Sequence, residues 1–143
     1  MKKQWYQRIF AVILIGLLTA CGAATPPVSL APVGHIVKQA ILLQLQQTEQ
    51  KLSDQLLASD PKLEITHVKI KQLEPLYLAK LATYHLQGSY TLNIHLSDHK
   101  VTQKDNLFDI YLQRQKEGKT WRWLKKESES EDSEPNWRSY LIH

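Results

Sequence analysis

The chain has 143 residues, of which 43% are hydrophobic, with a single cysteine and a formal charge of +4. That length supports one small domain and excludes a multidomain enzyme. One cysteine excludes an intrachain disulfide and any cysteine-rich zinc or iron–sulfur site. Lys2, Lys3 and Arg8 are three of the 18 basic residues, so the remaining 15 face 14 acidic ones. Residues 35–126 carry 14 basic and 9 acidic side chains, whereas 127–143 carry 5 acidic ones and Arg138. Without its first eight residues the chain has no dense basic face of the kind nucleic acid requires, so nucleic acid is not expected as a partner.

The N-terminus reads as an address. Lys2, Lys3 and Arg8 precede Ile9–Leu18, a ten-residue uncharged apolar run. A spanning helix needs roughly 20 such residues, so the run fits the apolar region of a signal peptide. Leu18-Thr19-Ala20-Cys21 follows and resembles the bacterial lipobox. The resemblance implies that the Cys21 thiol is alkylated with diacylglycerol, that cleavage occurs before Cys21, and that the new α-amine is acylated. Two or three acyl chains, at about 0.8 kcal/mol per buried CH₂, hold a protein on a membrane where one is marginal. The other reading is a chance cysteine after an ordinary secretory signal. Ala24–Gly34 has three prolines and no charge. It reads as an extended tether, able to hold a domain about 30 Å from the bilayer.

Residues 35–58 lack internal proline and glycine and stop at Ser59-Asp60-Pro61. Val37, Ile41, Leu45, Leu52 and Leu56 form one stripe at helical spacing. Ile36 and Leu43 widen the apolar arc, to be covered by the tether or sheet or to meet a partner. Beyond Pro61 the period becomes two. Leu63, Ile65, Val68 and Ile70 predict a first strand with a bulge near Thr66-His67, closed by Leu73-Glu74-Pro75. Tyr84, Leu86, Tyr90, Leu92, Ile94 and Leu96 form the inward row of a long second strand. Thr83, His85, Gln87, Ser89, Thr91, Asn93 and His95 point outward, and Gly88 marks a bend or bulge. Ser97–Asn106 reads as a polar connection, Phe108, Ile110 and Leu112 as a third strand, and Thr120–Leu124 as a fourth.

A turn at Glu117-Gly118 places Trp121 and Trp123 on the side of Leu112 and Arg114, in the core. A loop one residue longer places them outside beside Tyr111. Two tryptophans bury on the order of 400 Å², about 10 kcal/mol before opposing terms, which favours the core. After Glu127 the chain turns acidic and serine-rich, then ends in Trp137, Tyr140, Leu141 and Ile142. This end either folds back on the sheet or docks on a partner.

The expected organisation is a signal peptide (1–20), a lipidated proline-rich tether (21–34), an α+β domain (35–126) and an acidic, flexible tail with an apolar end (127–143). The domain is expected to pack one amphipathic helix on a four-stranded antiparallel meander. That order is found in cystatin-like and nuclear-transport-factor-two-like folds, which host many functions. Two stretches, Tyr84–Tyr90 and Phe108–Arg122, together with Gln44, Gln46, Gln47 and Gln50, resemble a family of small cyanobacterial proteins. The likeness covers roughly 36–122. It implies a fold rather than a reaction, and a thylakoid lumen as well as a periplasm as compartment.

Chemistry is sparse. No serine sits in a nucleophile elbow, and the glycines at 16, 22, 34, 88 and 118 form no phosphate loop. His67 and His85 are equidistant from Leu76, so a hairpin centred there sets them opposite each other as a weak metal pair. His95, Asp98 and His99 form a second loose cluster. No metal or cofactor beyond the lipid is expected, and no enzyme activity. The leading expectation is a membrane-anchored protein that binds or assembles a membrane-associated protein complex, with Ile36, Leu43, Tyr111, Trp137 and Tyr140 as contacts. The rival is a carrier of a small apolar ligand in a helix–sheet cavity lined by Leu45, Leu52, Tyr84, Tyr90 and Trp123.

Overall fold

A computed structural model describes residues 24–56, 61–127 and 135–143, with the backbone alone over 49–56. Cys21 and the expected signal peptide lie outside the described residues, as do the side chains of Leu52 and Leu56. A 3₁₀ turn at Val28–Leu30 leads into helix α1 (Gly34–Leu56). Five strands follow: β1 (Lys62–Leu78), β2 (Leu81–His95), β3 (Lys100–Arg114), β4 (Trp121–Glu127) and β5 (Asn136–Ile142). They form one antiparallel meander in sequence order. The class is α+β, with five strands where four were expected. The fifth is the apolar end, which folds back on the sheet as β5, one of the two readings the sequence left open, while the acidic run over 128–134 lies outside the described residues.

Alternation along β2 sets the two faces. Tyr84 and Leu86 are fully buried, and their cross-strand partners Leu112 and Ile110 are buried with them. Leu112 pairs with Trp123 and Arg114 with Trp121, so both tryptophans enter the core as the burial argument required. Arg114 secures that turn: its Nε and Nη2 donate to the Gly118 carbonyl at 3.0 and 2.8 Å. Gly118 takes a φ of +76°, which favours glycine. Trp121 in turn pairs with Ile142 and Trp123 with Tyr140, which stacks on it at 4.9 Å. Helix α1 lies over this face and touches β1, β3 and β5. Val37, Ala40 and Ile41 are buried in the core, and Ile36, Leu43 and Leu45 pack against it.

Three expectations need correction. β1 does not close at Pro75; it runs on to Leu78, and the hairpin turns at Ala79 and Lys80 with φ values of 50° and 64°. Pro75 is tolerated because β1 is an edge strand, where a missing N–H breaks no inner ladder. The polar run from Lys100 is strand rather than connection, and the turn shrinks to Leu96–His99, closed by Leu96 N–H on the His99 carbonyl at 2.9 Å. The segment before α1 is part of the domain. Pro26 is fully buried, Pro32 is buried, and the Tyr84 hydroxyl donates to the Pro27 carbonyl at 2.7 Å.

The bulge expected near Thr66-His67 is present, with His67 at φ 50° in the register break between Thr66 and Lys69. Gly88 lies opposite Phe108, and a Cβ there would sit 2.0 Å from the Lys69 carbonyl oxygen and 2.8 Å from Phe108 Cζ. Backbone and a core ring both block it. Gly88→Ala is therefore expected to lower the unfolding free energy by about 2 kcal/mol, read as a reduced urea midpoint with an unchanged slope.

Candidate functional site

The face of the sheet away from α1 carries the chemistry. Cross-strand pairing sets Glu74 (β1) beside His85 (β2), His85 beside Tyr111 (β3), and Tyr111 beside Leu124 (β4). Asp109, two residues from Tyr111, shares their side and pairs with Gln87. His85 Nε2 lies 2.6 Å from Asp109 Oδ1, and Gln87 Nε2 donates to Asp109 Oδ2 at 2.7 Å. Glu74 Oε2 stands 3.6 Å from His85 Nδ1. The imidazole thus stands between two carboxylates, with Nε2 toward Asp109 and Nδ1 toward Glu74.

The imidazole is held flat on Tyr111, with centroids 4.1 Å apart and planes 2° from parallel. Trp137 of β5 meets Tyr111 edge-on at 4.9 Å. Leu124, although on this open face, is only 6% exposed beside these rings. The carboxylates remain in water, with Glu74 and Asp109 side chains 64% and 58% exposed against 14% for His85. The result is an aromatic patch with an acidic rim. Burial raises the Tyr111 phenol above its ordinary value, and the charges of Asp109 and Glu74 add to that.

Asp109 orients His85 as a carboxylate orients a general base, yet the second ring nitrogen faces Glu74. Among the described residues no hydroxyl or thiol hydrogen-bonds to it. His67 is not opposite His85, because the hairpin centres on Ala79-Lys80 and Glu74 takes that position. His95 instead approaches Glu64 at 3.3 Å, and His99 approaches Asp98 at 2.6 Å. The His95 hydrogen bond holds the Glu64 carboxyl below the ordinary range. Among the described residues no group of three or more His, Cys, Asp or Glu is placed to hold a metal ion.

The five expected partner contacts do not share one surface. Tyr111 and Trp137 touch on the open face. Tyr140 stacks on Trp123 on the opposite face, and Ile36 and Leu43 pack against the core there. Of the cavity lining expected for a carrier, Tyr84, Tyr90 and Trp123 are buried in the core and Leu45 packs against it. A shallow open depression is lined by His35, Lys38, Gln39, Leu42 and Ile65, and none of those three aromatics lines it. Glu74, Gln87 and Asp109 were not anticipated. The outward parity of Gln87 was legible, but their meeting at His85 depends on the register of three strands.

Comparison of the chain with models of protein families, with curated proteins and with solved structures found no match.

Burial also raises the phenols of Tyr84 and Tyr90. Three tyrosines thus hold their protons more tightly in the folded chain than in the unfolded one. Their contribution to stability is expected to be level up to about pH 10 and to fall as the pH rises through that value. Asp109→Asn is expected to lower the Tyr111 titration midpoint without restoring the ordinary value, since burial remains. Carbon-13 NMR of the tyrosine rings reads both effects.

Proposed function

We propose that the protein is a lipid-anchored, extracytoplasmic binding module without a reaction of its own, which helps hold together a membrane-associated protein complex. The lipobox-like Leu18–Cys21 supports the anchor, with diacylglycerol and an N-acyl chain on Cys21. The periplasm is the compartment, or the thylakoid lumen where the cyanobacterial likeness of 36–122 holds. The helix-on-meander order supports a cystatin-like layout.

One observation carries the binding reading. Tyr111 and Trp137 lie together beside Leu124 on a sheet face that no described element covers. Aromatic side chains that combine contact area with few rotatable bonds dominate protein interfaces, and a rim of charge sets the register of the partner. Glu74 and Asp109 supply that rim, and a protein partner reads both at once.

A photo-crosslinking amino acid at Trp137 is expected to capture one discrete membrane-associated protein, while the same group at Tyr77, on the opposite face, does not. Tyr111→Ala is expected to weaken binding of that protein by about 2 kcal/mol, roughly thirty-fold. The same products from both positions, or none from Trp137, contradict the proposal.

A further inference from the structure

The chain leading out of the proposed anchor is docked on the domain from Pro26 onward. Pro26 is fully buried, Pro32 is buried, and the Tyr84 hydroxyl fixes the Pro27 carbonyl at 2.7 Å. Five residue steps separate Cys21 from Pro26, and a fully extended chain spans at most about 18 Å over that length. A stalk running the whole length of the proline-rich segment would hold the body about 30 Å away. The domain has no such freedom.

The docked segment turns three aliphatic side chains outward: Val28 is 61% exposed, Leu30 40% and Val33 58%. They are three of the eight large exposed hydrophobics among the described residues, gathered within six consecutive positions. The other five are spread over β1, β3, β5 and the β2–β3 turn, and exposed apolar residues scattered singly need no explanation. Residues 24–34 carry no charge, so contact with an apolar phase desolvates none there. Leu30 and Ala31 donate to the carbonyls of Pro27 and Val28 at 3.1 and 3.0 Å, so part of the local backbone is already paired.

We infer that Val28, Leu30 and Val33 form a membrane-contact surface, seated in the interface of the lipid bilayer that holds the Cys21 acyl chains. The inference rests on the proposed anchor. The short link brings these side chains to the bilayer, and their apolar surface keeps them there. The domain then lies on the membrane through its helix-side edge, and the face bearing Tyr111 and Trp137 is left free.

The test uses the full lipidated chain, purified from membranes and reconstituted into phospholipid vesicles, with an environment-sensitive fluorophore on Val28→Cys or on Leu107→Cys. Leu107 is 76% exposed on the opposite face of the sheet. The expected result is a blue shift at position 28 with loss of emission to shallow brominated lipids, and neither at position 107. A lipidated chain whose two labels behave alike overturns the inference and leaves the anchor standing. An N-terminal peptide whose mass lacks diacylglycerol overturns the anchor, and this inference falls with it. Leu30→Cys repeats the reading at a second site.

Discussion

The hydrogen bond from the Tyr84 hydroxyl to the Pro27 carbonyl sets what this molecule is able to do. It joins the segment after the lipobox-like motif to the first residue of the long inward row of β2. Tyr84 is fully buried and its ring lies 6.0 Å from that of Trp121. The Pro27 carbonyl also accepts from the Leu30 N–H at 3.1 Å, so the phenol adds a long-range hydrogen bond to a local turn.

The sidedness of the sheet follows from the same arrangement. Helix α1 and the docked segment share the face of Tyr84, Leu86, Trp121 and Trp123. Strand alternation then commits His85, Asp109, Tyr111 and Trp137 to the other face. The outer face is not uniformly wet. Thr83, Ser89 and Asn93 point outward yet are buried, covered by side chains from neighbouring strands. Asn93 shows how: it accepts from Thr102 at 2.9 Å and donates to Glu64 at 3.3 Å. Polar residues knit much of that face together, and the rings beside Leu124 form an aromatic spot on it.

Much of this was legible in the sequence, and the reasons for the rest are local. The inward row from Tyr84 to Ile94 is a plain period of two, and the two tryptophans were placed by the cost of leaving them in water. The β1–β2 turn was placed too early, near Leu76, because Ala79 and Lys80 adopt left-handed backbone that glycine, asparagine or aspartate would have signalled. Pro75 pointed to a break, and only its place on an edge strand reconciles it with continued pairing. β5 was half visible, since an apolar end after an acidic run suggested a return to the sheet. The meeting of His85 with Asp109 was hidden, because it depends on a short turn at Leu96–His99 and a bulge at Asp105 that together fix the offset of β3. Three prolines announced a stiff segment but carry no sign of whether it stands free or docks.

A docked segment, the proposed anchor at Cys21 and an uncovered aromatic face combine into one proposed picture: a domain laid on a membrane with its proposed recognition surface turned away from α1. Neutron reflectometry of the lipidated protein on a supported bilayer tests that picture most directly, because it reads the water layer between lipid and protein. The account predicts a protein layer in contact with the headgroups and no intervening solvent. A solvent gap approaching the roughly 30 Å reach of a fully extended tether would contradict it.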